Sequence, residues 1–60
     1  MEYLVYFYVK KERRHRRVHA KGYEISHSGA LMFYDTNTKG EKIFGLSYNK
    51  DHWEHVIPWE

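Results

Sequence analysis

Seven cations crowd into twelve residues: Lys10, Lys11, Arg13, Arg14, Arg16, Arg17 and Lys21, with His15 and His19 among them. A segment of this kind suits a polyanion. Each phosphate neutralised by a Lys or Arg releases condensed counterions, so affinity for nucleic acid grows with the number of contacts and falls with salt. Arginine adds a planar fork that fits phosphate or the edge of guanine. A two-stranded basic ribbon has the width of the major groove. Tyr6, Tyr8 and Tyr23, if exposed beside the ribbon, would stack unpaired bases as OB-type single-strand binders do. Two plainer roles compete: charges that guard a sheet edge against aggregation, and electrostatic docking on an acidic protein surface.

Other chemistry is poorly supplied. The chain has no cysteine, which excludes a thiolate nucleophile, a thiolate metal site and a disulfide. His52 and His55 lie three apart, and His15 and His19 four apart, but no spacing offers the four converging ligands of a structural zinc site. These read as surface histidines, with no metal or cofactor expected. Ser26, Ser28, Ser47, His27, Asp35 and Asp51 make up a Ser-His-Asp inventory without nucleophile-elbow spacing. Glu41 and Glu54 would pair as carboxylates only by accident of fold. Gly22, Gly29, Gly40 and Gly45 are too scattered to cradle a phosphate. With 60 residues there is little room for a pocket of roughly 300–1,000 Å³. The expectation is a binding module and not an enzyme.

The net charge of +2 hides an asymmetry. Residues 1–30 hold seven Lys/Arg against three Glu, whereas residues 31–60 hold three Lys against five Asp/Glu. No apolar run approaches the roughly 20 residues that span a bilayer. The apolar N-terminus carries Glu2 and lacks a basic leader and a small-residue cleavage site, so it reads as a strand and not as a signal peptide. The expected location is cytoplasmic.

The elements that must position these side chains are β-prone. Glu2 to Val9 is apolar on both parities: Tyr3, Val5, Phe7 and Val9 on one, Leu4, Tyr6 and Tyr8 on the other. A strand apolar on both faces is central, lies in a curled barrel, or covers a partner. For Lys10 to Lys21 a helix would have only Val18 and Ala20 to bury. A ribbon is the better reading, with its turn near Glu12 to His15 and a strand from about Arg16 to Ser26 pairing back on Glu2–Lys10. Val18 and Ala20 differ in parity from Tyr23 and Ile25, and a bulge at Gly22 would bring all four to one face.

Leu31-Met32-Phe33-Tyr34-Asp35 and Lys42-Ile43-Phe44-Gly45-Leu46 flank the polar loop Thr36 to Gly40 and read as the central hairpin. Gly45 marks a kink or the close approach of an aromatic ring. After a turn at Asn49-Lys50-Asp51, His52 to Ile57 is a last strand, with Pro58 at its end or at a sheet edge. A short helical turn over Asp51–His55 is the alternative.

The sum is a single small all-β domain over residues 1–60, a five-stranded antiparallel meander with a basic hairpin arm at about 10–21. It forms a curled sheet or a half-open SH3-like or OB-like barrel. The first functional expectation is that Lys10–Lys21 engages the phosphates of DNA or RNA. The rival is a small protein-interaction or inhibitor module, of the kind short viral or mobile-element genes encode. Its contacts would be exposed aromatics among Tyr6, Tyr8, Tyr23, Trp53 and Trp59, the residue types that dominate binding hot spots. A homodimer is a further way to bury the aromatic surplus, because small domains gain stability by association.

Overall fold

The N-terminal run is a central strand, as its two apolar faces require. In the computed structural model, which describes residues 1–59, β1 (Glu2–Val9) lies between β2 (Glu12–His19) and β6 (Trp53–Pro58), antiparallel to both. A second antiparallel sheet runs in chain order through β3 (Gly22–Ile25), β4 (Leu31–Thr36) and β5 (Lys42–Tyr48). A 3-10 turn at Lys50–His52 leads back into β6. The described residues are thus all-β and antiparallel, with six strands in two sheets where the sequence suggested five in one meander. Among the described residues no helix is long and apolar enough to cross a membrane.

The sheets meet on the inner parity of β1. Val5 and Leu31 are fully buried, and Tyr3, Val18, Ala20 and Phe33 complete the core. The Tyr3 ring bridges the sheets. It stands edge-on to Tyr23 at 5.4 Å and lies 5.8 Å from Phe33. Phe7 meets Tyr48 at 5.0 Å. Trp53 packs against the same core, and its Nε1 donates a hydrogen bond to the Gly29 carbonyl at 2.9 Å. Aromatic rings therefore do most of the joining, consistent with their large buried area per residue.

The basic segment is a ribbon, paired from Glu2↔His19 to Val9↔Glu12. Its turn falls earlier than expected, at Lys10 and Lys11. The single strand expected from Arg16 to Ser26 is two strands in different sheets. The Ala20 amide donates to the Met1 carbonyl at 3.0 Å, and the very next amide, of Lys21, donates to the Tyr34 carbonyl at 2.9 Å. This crossing between sheets, and not a bulge, turns Val18, Ala20 and Tyr23 toward one core. Ile25 escapes it and remains 53% exposed. Gly22 packs under the Tyr34 ring, where a Cβ would lie 2.7 Å from the tyrosine oxygen. Gly45 has no such neighbour. It sits where the β4–β5 register shifts, so it marks a bulge and not a ring contact.

Removing the buried Leu31 side chain leaves a void between the sheets, so Leu31→Ala is expected to lower stability by about 2–5 kcal/mol. Ile25→Ala, at an exposed site, should change it by less than about 0.5 kcal/mol. Urea denaturation followed by tryptophan fluorescence separates the two.

Candidate nucleic-acid interface

Lys10 and Lys11 form the tip of the ribbon with φ of +51° and +68°. A two-residue hairpin turn of this hand favours Asn-Gly, because a side chain in the left-handed region crowds the following carbonyl at a cost of roughly 1–2 kcal/mol per residue. The chain nevertheless places two long cations there. Tyr8, Val9, Lys10, Lys11, Asp51 and His52 line an open groove beside this tip.

Strand alternation divides the remaining cations. Arg13, His15, Arg17 and His19 of β2 share the outer face of the first sheet with Glu2, Leu4, Tyr6 and Tyr8 of β1. Arg14 and Arg16 share the parity of buried Val18, yet both are exposed because the second sheet does not reach over them. Lys21 is exposed at the crossing between sheets. The seven cations that are contiguous in sequence therefore fall in four places: the tip, the outer face, the opposite face and the crossing.

The outer face interleaves rings and charges. Arg13 lies over the Tyr6 ring with Cζ 4.6 Å from its centroid, and Arg17 lies over Trp59 at 4.7 Å. His55 of β6 stacks on Tyr6 at 4.5 Å, and His15 flanks the same ring from β2 at 5.7 Å. Such guanidinium–ring contacts are worth about 0.5–1 kcal/mol at exposed sites. Tyr6 and Tyr8 are half-buried and Trp59 is 50% exposed. Tyr23 and Trp53, expected as exposed contacts, are instead packed against the core. Both lie on strand parities that face between the sheets, a fact that depends on which sheet each strand joins.

Glu54 is the residue that sequence reasoning missed on this face. The β1–β6 pairing goes from Tyr6↔His55 to Phe7↔Trp53, so Glu54 is the extra residue of a bulge. The bulge brings its carboxylate to the outer side. Tyr8 Oη donates to Glu54 Oε2 at 2.5 Å, and Arg13 Nη2 donates to Oε1 at 2.9 Å. His55 Nδ1 lies 3.0 Å from Oε1. The Tyr8 hydrogen bond, with Arg13 beside it, holds the Glu54 carboxyl below the usual range, and the same bond raises the Tyr8 phenol. Elsewhere Arg14 pairs with Glu12 at 2.9 Å, and Arg17 and His19 each lie 3.8 Å from Glu2. Among the described residues the side-chain charges of Lys10, Lys11, Arg16 and Lys21 have no carboxylate within 4.0 Å, although the Lys21 backbone amide donates to Asp35 Oδ1 at 3.1 Å. Among the described residues, too, no three of the His, Asp and Glu side chains converge as metal ligands would.

The Tyr8–Glu54 pair has a pH signature of definite sign. Glu54 is depressed, so its share of stability is present above the ordinary glutamate pKa of about 4.3 and is lost as pH falls through its lower folded value. Tyr8 is raised, so its share is present below about 10 and is lost as pH rises through its higher folded value. NMR titration of the tyrosine rings should show Tyr8 titrating above the ordinary range. Glu54→Gln should return it toward that range, and an unchanged Tyr8 titration in that variant would show that the bond is not formed in solution.

Compared with known protein families, curated proteins and solved structures, the chain matches none.

Proposed function

We propose that the protein binds single-stranded nucleic acid on the outer face of the β2–β1–β6 sheet. The observation that carries this reading is the alternation of guanidinium groups and aromatic rings on one sheet face: Arg13 with Tyr6, and Arg17 with Trp59. Unpaired bases stack on aromatic faces with little regard to sequence, while cations beside them follow the phosphates. Arg13 and Arg17 are poised to exchange a ring face for a phosphate, and Lys10 and Lys11 extend the track at the tip. A turn that keeps two lysines where Asn-Gly would be easier fits a tip kept for its charge. Glu54 opposes the reading locally, since its carboxylate holds Arg13 and would repel a phosphate.

On this reading the protein is a non-enzymatic, cytoplasmic binding module. Docking on an acidic protein surface is the second reading. It is favoured by the half-exposed Trp59 beside Arg17, because Trp and Arg are enriched in protein hot spots.

Titration of a labelled single strand against salt is the test. Four phosphate contacts, from Lys10, Lys11, Arg13 and Arg17, correspond to a log–log slope of about −3. Arg13→Glu with Arg17→Glu should abolish binding. Arg14→Glu with Arg16→Glu removes the same charge from the other face and should leave most of it. Trp59→Ala should cost about 1–3 kcal/mol of binding. Equal losses in the two charge-reversal pairs would mean that net charge and not this face binds, and a preference for duplex would overturn the single-strand assignment.

A further inference from the structure

We infer that β5 is a seam along which two copies of this chain join edge to edge. β5 is the outermost strand of its sheet, and six of its seven residues are exposed. Ile43, Phe44 and Leu46 are 55%, 46% and 37% exposed. Beside them opens a largely apolar hollow of about 200 Å³, lined by Val18 and Phe33 of the core, with His19 and Asp35 also on its wall. The hollow is thus continuous with the interior, and a molecule seated on β5 would extend a core that, among the described residues, holds six buried side chains.

The other three sheet edges are guarded in ways that natural sheets use against pairing. β2 carries Arg13, Arg14, Arg16 and Arg17, so a second β2 laid against it would oppose arginine to arginine. β6 ends in Pro58, which lacks an N–H, and carries Glu54 and His55. β3 is only four residues long and carries Glu24. β5 is seven residues long without proline, and its one charge is Lys42 at the end. That ammonium is already paired with the Glu24 carboxylate.

Charge decides the occupant. A strongly acidic or basic partner finds no counter-charge along Ile43 to Tyr48, whereas an uncharged apolar strand of matching length finds none opposed to it. β5 itself has that length, that apolar content and that neutrality, so the patch is complementary to its own copy. An isologous two-fold contact closes after two chains. β5 has one irregularity, the register shift against β4 at Gly45, so pairing runs on either side of that residue. The seam belongs to the second sheet and leaves the outer face of β2–β1–β6 open, so it stands independently of the nucleic-acid reading.

Sedimentation equilibrium of the full chain between about 1 µM and about 1 mM tests the seam. The expected result is a rise from the 7.4 kDa chain to twice that mass and no further, with a melting temperature that climbs with concentration. Ile43→Lys with Phe44→Lys sets like charges across the seam and should weaken association at least about 100-fold. Ile25→Lys, exposed at the other edge of the same sheet, should leave association unchanged. Circular dichroism checks that the variants fold, and the wild-type concentration series decides the matter if they do not. A wild-type chain that stays monomeric throughout, grows past two copies, or dimerises equally well with the two lysines in β5 would overturn the inference.

Discussion

The structure depends on the burial of Val5 against Leu31, with the Tyr3 ring bridging the two sheets. Each sheet has only three strands, and neither hides its apolar side without the other. A chain of 60 residues buries only about 60% of the surface its unfolded form exposes, so little redundancy is available. Aromatic rings compensate by carrying large area per residue, and Tyr3, Phe7, Tyr23, Phe33, Tyr48 and Trp53 are spent on this one junction. The cost is visible elsewhere. Of β5 only Tyr48 meets the first sheet, at Phe7, and Ile43, Phe44 and Leu46 stay in solvent.

The same central strand creates the outer face. β1 is apolar on both parities, so packing its inner side leaves Leu4, Tyr6 and Tyr8 outside. Flanking strands then supply what covers them. Arg13 and the rings of His15 and His55 shield Tyr6, and Glu54 fastens Tyr8 and Arg13 together. These interactions are polar, exposed and individually weak. On the function proposed above, a ligand that offers a base to the ring and a phosphate to the guanidinium would replace them group for group.

The identity of the elements was legible in the residues. The aromatic and β-branched enrichment of Glu2–Val9 marked a central strand, and the lack of an apolar stripe in Lys10–Lys21 argued against a helix there. The polar loop before Gly40 marked the β4–β5 hairpin, where Asn37 Oδ1 accepts from the Lys39 and Glu41 amides at 2.9 and 3.0 Å. The parity change around Gly22 was a true signal whose cause was misread. A bulge and a crossing between sheets change parity alike, and only the partners of the Ala20 and Lys21 amides distinguish them. For the same reason Tyr23 and Trp53 were indistinguishable from Tyr6 and Trp59 in sequence, although the first two belong to the core and Tyr6 and Trp59 to the outer face.

What the sequence determined by itself is local: strand-forming segments, an antiparallel β class, and a run of cations with no catalytic or metal-binding spacing beside it. These follow from period, side-chain type and composition, which act over a few residues. Tertiary structure alone decided that the strands divide into two sheets, that β6 returns to pair with β1, and that a bulge turns Glu54 onto the Arg13 side. It also decided that seven neighbouring cations separate into four places. Each of these depends on which strands pair and on which side of a sheet is covered. Those choices are set by long-range burial of a few aromatic rings, a free energy that no window of neighbouring residues contains.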